Sequence, residues 1–127
     1  MITSFDTRTG LIIVRAHLWG PAGERTLRLA LDTGATYTIV RTAILVALGY
    51  DPALSTKRIM MTMGSSVEYV PLVTVQRLAS LDRVQSHFTV ASHTLPPSAS
   101  LDGLLGLNFV QNLDLLVSFR RGIITLD

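Results

Sequence analysis

The segment that decides the fold is Leu29-Ala30-Leu31-Asp32-Thr33-Gly34-Ala35-Thr36, in which an apolar run ends abruptly in Asp-Thr-Gly. From Thr26 to Asp32 the three leucines fall on alternate positions, and this period of two predicts a β-strand. The strand gives its terminal carboxylate a rigid support, and Gly34 lets a second backbone approach that carboxylate closely. Taken alone, Asp-Thr-Gly favours an ordinary turn after a strand, because all three residues are common in turns.

Length and composition narrow the class of protein. The chain has 127 residues, of which 48% are hydrophobic and 16% charged, and this predicts one globular domain spanning residues 1–127. Because there is no cysteine, disulfides, thiolate nucleophiles and cysteine metal sites are excluded. The net charge is only +2 and the arginines are scattered, so we expect no nucleic-acid binding. We also expect a cytoplasmic protein, because neither a membrane-length apolar run nor a signal peptide is present.

Alternating residues and turn signals predict mainly β-structure along the rest of the chain. The segments at 11–19 and 26–32 flank the turn residues 20–23, so they should form a hairpin. Two prolines make residues 93–99 a loop, since proline is excluded from central strands. Further strands are predicted at 83–91, 115–119 and 123–126, the last two as a closing hairpin.

One short helix is predicted directly after the Asp-Thr-Gly segment, over residues 41–48. Thr42 can serve as its N-cap, and Gly49 suits the position just past its end. Its interior is apolar nearly all round, so we expect the helix to be largely buried.

A second hairpin is predicted between residues 57–63 and 67–78, which are joined by Gly64-Ser65-Ser66. Gly64 should lie at or near its tip, next to Met63 and Ser65. Met60, Met61 and Met63 are expected to be packing residues, one of which lines a groove. Without further context this would be an ordinary surface hairpin.

A second motif lies at residues 101–109, where the apolar pair Leu104-Leu105 is followed by Gly106 and by a short predicted helix reaching about Leu113. Strand, Asp-containing turn, glycine and short helix thus occur twice, at 27–48 and 98–113. This echo is too faint to establish a repeat from the sequence alone.

The order of these segments resembles that of the retropepsin-like aspartic protease family. The order is Asp32-Thr33-Gly34-Ala35, the hairpin, Leu104-Leu105-Gly106, a helix and a final hairpin. The resemblance covers about residues 11–126. It is greatest to single-domain bacterial members and to the retroviral-type domain of the DNA-damage-inducible family. It implies an all-β fold with one or two short helices: a closed acid-protease barrel whose Leu-Leu-Gly strand passes beside the catalytic loop.

The resemblance also implies roles for individual residues. Asp32 would be the catalytic aspartate, and Thr33, Gly34 and Ala35 its loop. Met63, Gly64 and Ser65 would belong to the flap, a mobile hairpin that closes over bound peptide. The implied activity is hydrolysis of peptides or proteins without a metal or cofactor.

Such hydrolysis needs two carboxylates that share one proton. One Asp-Thr-Gly supplies a single carboxylate, so the prediction is a symmetric homodimer with Asp32 of each subunit at the two-fold axis. Asp102 is the rival second carboxylate, but it is not followed by Ser/Thr-Gly, and turn formation or local hydrogen bonding is its favoured role.

Other classes of function remain to be weighed. His17, His87 and His93 match no zinc spacing, and no serine-hydrolase or nucleotide-binding motif is present. Tyr37 follows the loop closely enough to line a pocket. The alternative function is a peptide-binding or dimerisation module that keeps the fold without turnover.

Overall fold

The computed structural model describes residues 2–94 and 100–127, without the side chain of Met63. Most of the predicted proline loop, residues 95–99, lies outside this description. The helical segments are α1 (Thr42–Ala47), a 3-10 turn (Pro52–Leu54) and α2 (Leu107–Val110). The strands are β1 (Ile2–Ser4), β2 (Ile13–Gly20), β3 (Gly23–Leu31), β4 (Thr38–Arg41), β5 (Arg58–Met63), β6 (Ser66–Ser80), β7 (Arg83–His93), β8 (Gly103–Leu105), β9 (Leu115–Ser118) and β10 (Ile123–Leu126).

Six of these strands close into a barrel in the order β2-β3-β8-β4-β7-β6, and the ring is completed where β6 pairs with β2. Strand β5 pairs only with the first part of β6, so the β5–β6 hairpin extends beyond the ring. The predicted all-β fold with a closed barrel is therefore confirmed. The barrel interior is filled by alternate residues of its strands, among them the fully buried Leu18, Leu27, Leu29, Val40, Val75, Leu78, Val90 and Leu105.

The two ends of the described chain meet in a separate sheet with the order β1-β10-β9. The inward residues of β10, Ile124 and Leu126, are buried in the same core as the barrel interior. The closing hairpin β9–β10 was predicted from the sequence, whereas β1 was not.

Strand β8 is a three-residue wedge between two strands that lie far away in sequence. It runs parallel to β3 and antiparallel to β4. A Cβ at Gly103 would lie only 1.8 Å from the Ile39 carbonyl oxygen, so the wedge fits because this position has no side chain. The sequence predicts close backbone approach at Gly34 and Gly106 but not at Gly103.

The predicted β2–β3 hairpin is confirmed, with Gly20 paired to Gly23 at its turn. The prediction for the first helix is wrong in two respects. Val46 is 56% exposed, because α1 packs against the barrel with one face only. Thr42 is not the N-cap: Arg41 occupies that position, and the Thr42 hydroxyl hydrogen bonds to the Ser92 hydroxyl at 2.7 Å.

The helix ends as predicted, since Gly49 has a φ of +93° just past its last turn. The second helix, α2, is shorter than expected and stops at Val110 rather than near Leu113. Within residues 2–94 and 100–127, no helix is long and apolar enough to cross a membrane.

Candidate active site

Asp32 directly follows β3, and its backbone N–H donates to the Leu105 carbonyl at 2.9 Å. The aspartate is therefore fixed at the point where β3 and β8 end side by side. Its side chain is half-buried. A carboxylate held in this way has little freedom of position but remains accessible from the open end of the strands.

The residues after Asp32 fold back on its carboxylate. The Gly34 N–H donates to Asp32 Oδ1 at 2.9 Å, and the Ala35 N–H donates to the Asp32 carbonyl at 3.2 Å. A Cβ at Gly34 would lie 3.1 Å from Asp32 Oδ1, so a glycine here avoids a tight contact with the carboxylate. In the part of the chain that the structure describes, Oδ2 of Asp32 accepts no hydrogen bond, which leaves it available to a ligand.

Thr33 is exposed, and among the described residues its hydroxyl has no hydrogen-bond partner. Its hydroxyl therefore remains available to a partner outside the described residues. The neighbouring Gly34 and Thr36 are exposed as well, so this surface of the loop is open.

The segment after β8 holds the Asp32 loop through backbone hydrogen bonds. The N–H groups of Leu107 and Asn108 donate to the carbonyls of Ala35 and Thr36, at 2.8 and 3.2 Å. A Cβ at Gly106 would lie 2.6 Å from the Tyr37 carbonyl, so the close backbone passage predicted at this glycine is present.

A polar cluster behind the loop was not found by sequence reasoning. Thr38 is completely buried, and its N–H and hydroxyl both donate to Asn108 Oδ1, at 2.8 and 2.9 Å. The Asn108 amide nitrogen donates to the Thr89 carbonyl at 2.7 Å. The one signal in the sequence is that Thr38 and Asn108 are polar residues next to apolar pairs, which does not reveal that they are partners.

A cleft of about 610 Å³ opens beside Asp32. One wall is the loop with Ile39 and Leu104, and the other is strand β5 from Ile59 to Thr62. Met60 and Met61 both line it, whereas the sequence predicted this of one methionine, and Tyr37 lines it as well. The packing role predicted for Met60 is wrong, because its side chain is exposed. Asp32 is the one charged residue among the described lining residues, so the cleft is an apolar groove with a carboxylate at one side.

The residues predicted for the flap lie at the far end of the β5–β6 hairpin. Met63 is the last residue of β5, and Gly64 and Ser65 form the turn, with Gly64 at a φ of +61°. Neither Gly64 nor Ser65 is among the cleft-lining residues. The structure thus brings together Asp32, its loop and Leu104, and places the predicted flap tip away from them.

Asp102 is not part of the cleft. Its carboxylate accepts a hydrogen bond from the Arg28 N–H at 2.8 Å, and its own N–H donates to the Arg28 carbonyl. Arg28 precedes Asp32 by four residues in β3, or about 13 Å at the usual rise of a strand. Asp102 therefore extends the pairing of β8 with β3. The turn formation or local hydrogen bonding favoured from the sequence is wrong, because these bonds join Asp102 to a strand 74 residues earlier in the chain.

The histidines lie apart from the cleft. His17 is 3.6 Å from Glu24 and His93 is 3.6 Å from Glu68, each as a single pair. Among residues 2–94 and 100–127, no group of three or more His, Asp or Glu side chains is placed to hold a metal ion.

A closed barrel with one loop-bound aspartate beside an apolar cleft defines the class of acid-protease barrels. A family model described as "gag-polyprotein putative aspartyl protease" matches residues 22–112, which include both Asp32 and Gly106. The chain belongs to this retropepsin-like aspartic protease family.

The solved structures agree on the fold. A retropepsin-like aspartic protease from Rickettsia conorii superimposes with a TM-score of 0.72, over 99% of this chain and 88% of that one. Only 12% of the residues are identical, so this similarity concerns the fold. No curated protein sequence matches the chain.

Proposed function

We propose that this protein is an aspartic endopeptidase in which Asp32 is the catalytic carboxylate. The observation that carries the proposal is the environment of Asp32. One carboxylate oxygen is fixed by the Gly34 N–H, the other has no hydrogen-bond partner among the described residues, and Asp32 lines the cleft. A group held by the backbone but free at one oxygen is suited to bind and activate a water molecule.

The chemistry requires a second carboxylate. The ionised carboxylate takes a proton from water as the water oxygen attacks the peptide carbonyl carbon, and the protonated carboxylate donates to the carbonyl oxygen. The tetrahedral intermediate then collapses and the C–N bond breaks. The leaving amine takes up the proton that the first carboxylate removed from water, and one hydroxyl of the intermediate returns its proton to the second carboxylate, which restores the starting pair. Because two close carboxylates cannot both ionise easily, the pair holds one proton between them, as this chemistry needs.

The second carboxylate comes from another copy of the chain in a symmetric homodimer. Asp102 is engaged with the Arg28 backbone, so it does not serve as the partner within one chain. The open surface of the loop, with the exposed and unpartnered Thr33, favours contact with an equivalent loop. In an isologous interface the two Asp32 side chains meet at the two-fold axis.

The β5–β6 hairpin acts as the flap over the cleft, with Gly64 in its turn. The apolar side chains of Ile59 and Met61 on β5 line the cleft, so a bound peptide would lie between this hairpin and the loop. Closure of a hairpin excludes water from the reacting groups, which strengthens the electrostatic interactions there.

The test is cleavage of a diverse peptide library from acid to neutral pH, analysed by mass spectrometry. The variant Asp32→Asn should have no activity, whereas Asp102→Asn should cleave the same bonds, because an amide oxygen can still accept the Arg28 N–H. Cleavage by Asp32→Asn would contradict the proposal. A folded dimer that cleaves no peptide would favour the peptide-binding alternative.

The dimeric site has its own test. Wild-type protein mixed with a fourfold excess of Asp32→Asn protein should lose most of its activity as subunits exchange, because mixed dimers lack one carboxylate. The matched control is the same excess of bovine serum albumin. Full activity in the mixture after exchange, or cleavage by a species that sediments as a monomer, would refute the shared site.

A further inference from the structure

We propose that Thr38 and Asn108 are positioning residues, which fix the Asp32 loop in the geometry that catalysis requires. The inference rests on the proposed function of Asp32. Neither side chain lines the cleft, so neither touches the reacting atoms. They act through the backbone of the segment that runs beneath the loop.

The Thr38 hydroxyl has its hydrogen bonds fixed in direction. It donates to Asn108 Oδ1 at 2.9 Å and accepts from the Gly106 N–H at 3.1 Å. Because Thr38 is completely buried, water cannot replace either partner. The hydroxyl is therefore a fixed link between the start of β4 and the residue that follows β8.

The Asn108 side chain is fixed as well. Its amide nitrogen donates to the Thr89 carbonyl of β7, and this leaves Oδ1 to accept both donors of Thr38. An amide held at both ends has one orientation, since rotation by half a turn would oppose like groups. The amide therefore anchors the cluster to the barrel wall.

The cluster connects to Asp32 through neighbouring backbone groups. Leu105, next to Gly106, accepts the hydrogen bond from the Asp32 N–H at 2.9 Å. Leu107 and Asn108 donate to the carbonyls of Ala35 and Thr36. Displacement of Gly106 would therefore shift both the carbonyl that holds Asp32 and the groups that hold its loop.

This arrangement matters for rate because dyad chemistry is sensitive to position. Catalytic groups must lie within about 0.5 Å of their productive geometry. A displacement of about 1 Å can cost a factor of about 100 in rate. A buried polar network in which every member is satisfied is rigid, and rigidity is what such a site needs.

The test compares Thr38→Val with Thr38→Ser. Valine has nearly the shape of threonine but lacks the hydroxyl, whereas serine retains it. We expect kcat of Thr38→Val to fall by about 10- to 100-fold with KM changed by less than about threefold, from the rate cost of misplacement given above. Thr38→Ser should restore kcat to within about threefold of wild type. Both are assayed at a temperature where circular dichroism shows each variant fully folded.

A second variant, Asn108→Asp, keeps the acceptor but places an oxygen against the Thr89 carbonyl. When protonated, that oxygen can donate as the amide does. We therefore expect its kcat, relative to wild type, to rise as the pH falls, whereas Asn108→Ala should show no such recovery. A loss of packing alone would not produce this pH profile, and this variant decides the matter if Thr38→Val fails to fold.

A readout without activity separates this inference from the proposed function. Hydrogen exchange of the Asp32 and Gly34 amides, followed by NMR, should be faster in Thr38→Val than in Thr38→Ser. If wild type cleaves peptides but both variants match it in kcat and exchange, the positioning role is refuted. If wild type is inactive yet exchange differs as expected, the proposed function fails and the structural link stands.

Discussion

Because β8 is wedged between two strands, Gly103 is the position where an added methyl group should lower the free energy of unfolding most. In Gly103→Ala, the added Cβ would lie 1.8 Å from the Ile39 carbonyl oxygen, 2.9 Å from its carbonyl carbon and 3.2 Å from a Leu29 methyl. The first two neighbours are backbone of β4, so no side-chain rotation relieves the contact. Strand β8 or β4 must move by about 1.2 Å to bring the closest pair from 1.8 to 3.0 Å.

The expected loss of stability follows from that movement. Overpacking of a close-packed interior costs about 1–3 kcal/mol. The hydrogen bonds Asp102 N–H to Arg28 and Arg41 N–H to Asp102, at 2.8 and 3.0 Å, lie beside the wedge and would lengthen. Each such bond contributes about 0.5–1.5 kcal/mol net. Replacing glycine by alanine offsets about 0.5–1 kcal/mol of this loss, because alanine has less conformational freedom in the unfolded chain. The free energy of unfolding should therefore fall by about 1–5 kcal/mol, compared with the 5–15 kcal/mol typical of a domain.

The measurement is urea unfolding followed by circular dichroism, with protein concentration held fixed because the proposed subunit association would contribute to apparent stability. The matched control is Gly10→Ala, since a Cβ there meets nothing within 4 Å, and its effect should stay within about 0.5 kcal/mol. Gly106→Ala, with its closest contact at 2.6 Å, should fall between the two. A loss below about 1 kcal/mol in Gly103→Ala would refute the reasoning.

Two further predictions concern the core and the response to pH. Phe109 is completely buried and packs edge-on against Phe88, so Phe109→Ala should lower the free energy of unfolding in urea by about 3–5 kcal/mol. Phe119 is 67% exposed, so Phe119→Ala should lower it far less. Equal losses from the two substitutions would contradict this prediction. The Arg8 side chain, and then its N–H, donate to Asp6 and lower the pKa of that carboxyl from 3.8 to about 2. The stability that this interaction contributes is present above pH 3.8 and is lost as the pH falls toward 2. NMR titration of the Asp6 carboxyl should give a midpoint of about 2, and Arg8→Ala should raise that midpoint. A wild-type midpoint near 3.8 would overturn the assignment.

The parts of this fold that sequence predicts best are those that depend on neighbours in the chain. The β2–β3 hairpin and the closing hairpin follow from alternation and from turn residues, and both are present. The Asp-Thr-Gly segment, together with the later Leu-Leu-Gly, also indicates the family, because the order of two motifs adds information that neither carries alone.

The parts that sequence missed depend on contacts between distant segments. Alternation predicted β6 over 67–78, but the strand runs from Ser66 to Ser80, because it pairs first with β5 and then with β7 and β2. The apolar composition of α1 predicted burial all round, yet which face is covered depends on the barrel beside it, and Val46 is left exposed.

The candidate site divides in the same way. Asp32 and its loop are identifiable because Asp-Thr-Gly is a contiguous motif. Thr38 and Asn108 are 70 residues apart, and nothing in either local sequence shows that they share hydrogen bonds. A polar residue in an apolar strand signals only that it needs a partner, and the fold supplies the partner.

The wedge also fixes the order in which this chain can become native. Gly103 pairs with Leu29 and Leu104 with Ile39, so the ring stays open until β8 pairs with strands that lie far before it in the sequence. Pairings this distant form slowly, since a long loop must be closed before they contribute. We therefore expect the local hairpins to form early and β8 to insert late. Because the same insertion supplies the carbonyl that holds Asp32, the Asp32 loop would gain this support only after β8 had been added to the barrel.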